Sequence, residues 1–101
     1  MRFGLEENII SKIKKVLTQF PEISEVIIFG SRAKGNYKKG SDIDLAFKSI
    51  NSKLTLSTVN KVSEKLDELF LPYTFDLVIY DQIENQELLD HIARVGESFY
   101  S

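Results

Sequence analysis

The chain has 101 residues, of which 28% are charged and 43% hydrophobic, and a formal net charge of −2; this suits one compact domain and argues against disorder. No apolar run approaches the roughly 18 residues of a membrane span and the N-terminus lacks a signal-peptide pattern, so no membrane association is expected. With no cysteine, disulfides and cysteine-bound zinc are excluded, which is compatible with a cytoplasmic setting.

The first predicted element is an amphipathic helix over about residues 5–20, because Leu5, Ile9, Ile13, Val16, Leu17 and Phe20 recur at helical spacing until Pro21 stops them. Val26-Ile27-Ile28-Phe29 is a short continuous apolar run ending at Gly30, as in a strand buried on both faces. Residues 42–47 alternate, placing Ile43, Leu45 and Phe47 on one side and Asp42 and Asp44 on the other. A second helix fits about residues 55–70, with Val59, Val62, Leu66, Leu69 and Phe70 on one face and Leu71-Pro72 as its stop. Residues 74–80 alternate again, with Asp76 opposite Phe75, Leu77 and Ile79. Asp81 and Glu84 have the spacing of a capping box, Leu88, Leu89, Ile92 and Val95 form a helical stripe, and Gly96 suits a C-terminal cap. The order of helix, strand, turn, strand, helix, strand, helix predicts an α/β (α+β) domain with a small sheet and helices packed on it.

Charge is unevenly placed along this order. Between Gly30 and Ser41 the only charges are Arg32, Lys34, Lys38 and Lys39, whereas Leu66 to His91 carries only carboxylates. No broad basic face of the kind that binds duplex DNA is expected. A basic loop beside carboxylates suits a small polyanion held with metal, such as a nucleoside triphosphate.

Asp42 and Asp44 would share a strand face with Cα atoms about 6.6 Å apart, close enough to resist joint ionisation without a cation. Magnesium, usually held by one or two carboxylates plus substrate phosphates, supplies that cation. If Asp76 comes alongside, three carboxylates suit a pair of ions about 3.5–4 Å apart. Gly30 admits close approach of the backbone, Ser31 offers a hydroxyl and an amide to phosphate, and a short helix over residues 31–34 would add its first amides. A P-loop reading of the Gly35–Asp42 stretch fails for want of Lys-Ser/Thr, and a calcium-loop reading fails at Ala46.

Gly30-Ser31, ten residues and then Asp42-Ile43-Asp44 resembles the signature of the DNA polymerase β-like nucleotidyltransferase superfamily. The longer run GSRAKGNYKKGSDIDLA resembles its minimal nucleotidyltransferase (MNT) branch. The resemblance implies the polymerase β palm-like fold with a small mixed sheet. It implies that Asp42 and Asp44 bridge two Mg2+ ions, that Asp76 is the third carboxylate near the attacking hydroxyl, and that Gly30 and Ser31 hold the triphosphate of ATP. Arg32 would be a further phosphate contact. The implied reaction is attack of a hydroxyl on the α-phosphate with release of pyrophosphate. Larger members carry an extra domain for which this chain has no room, and free-standing MNT proteins are commonly paired with HEPN toxins, helical ribonucleases. The MNT partner then acts as antitoxin, by adenylylating a toxin tyrosine or by blocking the toxin physically.

Other readings stay open at this level: a non-catalytic binding module, transfer to a small molecule or an RNA end, and a homodimer. Asp81 and Glu84 read as a helix cap rather than ligands, His91 as a partly packed structural histidine, and Tyr37 as a locally packed loop residue.

Overall fold

A computed structural model describes residues 1–51 and 54–101. Helix α1 (Glu7–Leu17) buries Ile10, Ile13, Val16 and Leu17. It is shorter than the apolar spacing suggests. Leu5 is fully buried but belongs to a turn bridged to Arg2, so burial outlasts helical geometry at that end.

Strand β1 (Glu25–Phe29) runs straight into a five-residue helix, α2 (Gly30–Lys34), and after a loop the chain returns as β2 (Ile43–Lys48). The two strands pair antiparallel, with Phe29 opposite Asp44. Helix α3 (Leu56–Asp67) is capped by the Thr55 side chain and carries the chain to β3 (Phe75–Ile79), which lies parallel to β2. A 3-10 turn (Tyr80–Gln82) leads to α4 (Gln86–Val95) and a last strand, β4 (Glu97–Tyr100), antiparallel to β1. The sheet is mixed, in the order β3-β2-β1-β4.

Strand periodicity sorts the core onto two faces. Val26, Ile28, Ile43, Leu45, Phe47 and Ile79 point towards α1 and α3, forming the larger cluster with Ile13, Leu17, Val62 and Leu66. Phe29 and Ala46 point the other way and meet Ile92 of α4, with Ile27, Val78, Tyr80, Ile83 and Leu88 around them. Asp44 and Asp76 share this second face by parity.

The structure corrects three local expectations and bears out the C-terminal cap at Gly96, for a different reason than backbone freedom. Asp81 does not cap the last helix: residues 80–82 form the 3-10 turn, and Asn85 is the cap, accepting from the amides of Glu87 (2.9 Å) and Leu88 (3.2 Å). Ile83 is drawn into the second cluster, and this delays the helix by a turn. Phe70 is 92% exposed rather than on the apolar face of α3, because the helix ends at Asp67 and Phe70 takes a left-handed conformation (φ 53°). Gly96 ends α4 with ordinary φ (−64°); what demands glycine is space, since a Cβ would stand 2.5 Å from the Ile92 carbonyl oxygen. Strand β4 was not expected: four residues with only Phe99 buried carry too little alternation to read as a strand.

Asn85→Ala removes the one oxygen that accepts from two amides and should lower stability by about 1 kcal/mol. Thermal unfolding checks this, with Asp81→Ala as the comparison expected to cost much less.

Candidate active site at the Gly30 turn

Three carboxylates are placed by two neighbouring parallel strands. In the β2–β3 register Asp44 lies beside Asp76 and Ile43 beside Phe75, and the Ile43 amide donates to the Thr74 carbonyl (2.9 Å). Asp42 sits just before β2, and the Thr74 hydroxyl donates to its Oδ1. Asp42 and Asp76 are exposed; Asp44 is half-buried between them.

Asp44 is seated against the turn that ends β1. Gly30 has φ +74°, and a Cβ there would stand 2.0 Å from Asp44 Oδ2. The absent side chain of Gly30 is therefore the space that the Asp44 carboxylate occupies. The Gly30 amide in turn donates to His91 Nε2 (3.0 Å), across 61 residues of sequence.

Burial, then the nearby charges of Asp76 and Asp42, push the Asp44 carboxyl from 3.8 up to about 6, against an opposing pull from Arg32. Among the described residues no three acidic, histidine or cysteine side chains stand close enough together to hold a metal ion as they are placed. The chemistry of the donor set nevertheless fits a hard divalent cation: three carboxylates on or beside two paired strands, one of them resisting charge through burial and then through its charged neighbours. Asp42, Asp44 and Asp76 are the side chains that would hold it.

A carboxyl raised to about 6 in the fold binds its proton more tightly there than when unfolded. Its stabilising contribution is complete below about pH 3.8 and is lost as pH rises through about 6. Metal-free thermal stability should therefore decline over this window, and Mg2+ should reverse the decline above it. Thermal melts at several pH values check this; an unchanged slope in Asp44→Asn would refute the assignment to Asp44.

A family model described as "Polymerase beta, Nucleotidyltransferase" matches residues 11–101. The chain belongs to this nucleotidyltransferase family. A comparison with curated protein sequences finds no match. Solved structures similar to the nucleotidyltransferase chain include a toxin-antitoxin with AMP-PNP, at 24% identity, covering 91% of this chain and 73% of that one, with a TM-score of 0.73. A second is the tri-AMPylated Shewanella oneidensis HEPN toxin in complex with MNT antitoxin, at 20% identity, 96% and 73% coverage and a TM-score of 0.70. A third is a mutant of the MntA-HpeT toxin-antitoxin, at 26% identity, 93% and 71% coverage and a TM-score of 0.67. The mixed sheet and flanking helices are thus the nucleotidyltransferase fold, as the GSRAKGNYKKGSDIDLA run implied.

Within the nucleotidyltransferase domain, Ser31 follows Gly30 in α2, half-buried, while Lys34, Lys38 and Lys39 are exposed. Arg32 departs from its expected place. Only 2% exposed, it donates through Nε (3.1 Å) and Nη2 (2.9 Å) to the Ser41 carbonyl and through Nη1 to that of Phe3 (3.0 Å). Its guanidinium also lies 5.4 Å from the Tyr37 ring and 4.9 Å from that of Tyr73. The phosphate contact read from its position is not one this buried guanidinium is free to make. Instead it ties Ser41, next to Asp42, to the N-terminal turn. Tyr37 packs locally, as expected.

Nothing in the sequence marks backbone carbonyls as the partners of Arg32 or a backbone amide as the partner of His91. The one available signal was a polar residue, His91, at helical spacing between Leu88 and Ile92.

Proposed function

We propose that residues 1–101 form one minimal nucleotidyltransferase domain that transfers AMP from ATP, with Mg2+, to a hydroxyl of a HEPN-type toxin, and so serves as its antitoxin. The observation carrying this reading is the β2–β3 register: Asp44 beside Asp76, with Asp42 two residues before it and the Gly30-Ser31 turn against it. Toxin-antitoxin neighbours, one with AMP-PNP and one with an AMPylated toxin, support the donor and the acceptor class.

When bound, two Mg2+ ions would supply charge stabilisation at the attacking and leaving oxygens. Asp42 and Asp44 would hold both ions, with Asp44 held in its charged form by them. Asp76, exposed on the outer strand, would lie nearest the acceptor hydroxyl and take its proton. The new bond joins acceptor oxygen to the α-phosphorus, the bond to the β-phosphate bridge breaks, and pyrophosphate leaves. Ser31 would bind the triphosphate through its hydroxyl and amide. The Gly30 amide is already given to His91, so Gly30 serves by making room for Asp44. Exposure of Asp42 and Asp76 leaves an open face on which a protein acceptor can present its hydroxyl.

The test is mass spectrometry of the protein encoded in the neighbouring reading frame, after incubation with this chain, Mg2+ and ATP. Addition of an adenylyl group that disappears with Asp42→Ala plus Asp44→Ala is expected. Neutralisation of that partner by the doubly substituted chain, with no mass change, would replace this reading by binding alone.

A further inference from the structure

We propose that His91 is a positioning residue of this site, acting through the Gly30 amide on the seat of the Asp44 carboxylate. The inference rests on the activity proposed above and adds a residue that neither the sequence motif nor the carboxylate geometry contains.

Gly30 is the first residue of α2, so its amide has no acceptor within the helix. His91 Nε2 takes that amide at 3.0 Å in a half-buried setting. The imidazole is held from a second side by the Phe29 ring, edge to face, with centroids 6.3 Å apart and planes at 80°. His91 thus grips two consecutive residues where β1 becomes α2. One of them is Gly30, against whose Cα the Asp44 carboxylate packs; the other is Phe29, the β-ladder partner of Asp44.

A packing role alone would call for a different residue. Leu88 and Ile92 flank His91 on the inward face of α4 and belong to the apolar cluster, so leucine would continue that stripe. What leucine lacks is an acceptor. Accepting at Nε2 requires the neutral ring to carry its proton on Nδ1, which makes the contact directly observable. Groups that orient ligands from behind commonly change metal affinity or activity by about 10–100-fold when removed.

His91 is the only histidine in the chain, so nitrogen-detected NMR reads its tautomer without ambiguity. The unmodified chain should show a protonated Nδ1 and an acceptor Nε2; a proton on Nε2 would overturn the inference. Manganese titration without nucleotide supplies the functional arm. His91→Leu should weaken Mn2+ binding by the folded chain about tenfold or more, while His91→Gln, whose side-chain oxygen can accept the amide, should recover most of it. If the unmodified chain binds Mn2+ and His91→Leu binds it equally well, the positioning role falls and the proposed activity stands. If the unmodified chain binds no Mn2+, the proposed activity falls, and the positioning role with it.

Discussion

Asp44→Asn should reduce nucleotidyl transfer by at least about a thousandfold while making the metal-free fold more stable. The two effects have one cause. Burial and the charges of Asp76 and Asp42 hold the Asp44 carboxyl at about 6, so near neutral pH it is ionised at a cost to the fold. After allowance for solvent screening that cost is about 1–2 kcal/mol, and asparagine removes it. For a chain of this size the gain corresponds to a rise in melting temperature of several degrees, or about 4–8 °C for each kcal/mol. The same substitution takes away the negative charge most enclosed by the site, and with it the ligand that would bridge both ions. Stability and activity should therefore move in opposite directions, which a merely damaged fold cannot produce. Transfer retained within about tenfold, in a folded variant, would refute a metal-bridging role for Asp44. At pH 4.5 the stability difference between the two chains should shrink, because Asp44 is then largely protonated in the fold.

What could be read from sequence was what strand parity and short spacing determine. Asp42 and Asp44 are two residues apart, so any strand there puts them on one face; Asp76 announced itself the same way against Phe75 and Leu77. Their convergence was legible only through the family resemblance, not from strand pattern, because it depends on the parallel register that sets Asp44 beside Asp76, and register is fixed by tertiary packing. Helix cores at Ile13 and Val62 were legible, but the ends were not. Asn85 rather than Asp81 caps α4 because Ile83 is pulled into the core, a competition that local cap chemistry does not contain. Strand β4 has Phe99 as its only buried side chain, and its pairing with β1 is long-range. Arg32 and His91 were opaque for another reason: both act on backbone groups, which every residue has and no sequence distinguishes.

Gly30→Ala should destabilise the chain by about 3 kcal/mol or more and reduce divalent-metal binding by the folded fraction at least about a hundredfold. Gly35→Ala is the internal control. Both glycines take positive φ, +74° and +96°, so either substitution incurs about 1–2 kcal/mol of left-handed backbone strain. They differ in what the new methyl group meets. At Gly35 none of the described residues offers an atom within 4 Å; at Gly30 the methyl carbon would fall 2.0 Å from Asp44 Oδ2 and 3.0 Å from its Cγ. Relief requires either the carboxylate to swing away from Asp42 and Asp76 or the turn to move off its His91 contact. Overpacking of this kind typically costs about 1–3 kcal/mol beyond the strain. The first route takes Asp44 from its place beside Asp76 and the second removes the turn that seats it, so metal binding should fall even in molecules that remain folded. Gly35→Ala should show the strain alone, with Mn2+ affinity unchanged. Equal metal affinities in the two variants would mean that the space beneath Asp44 is not what seats it, and that glycine is required at position 30 only for its backbone conformation.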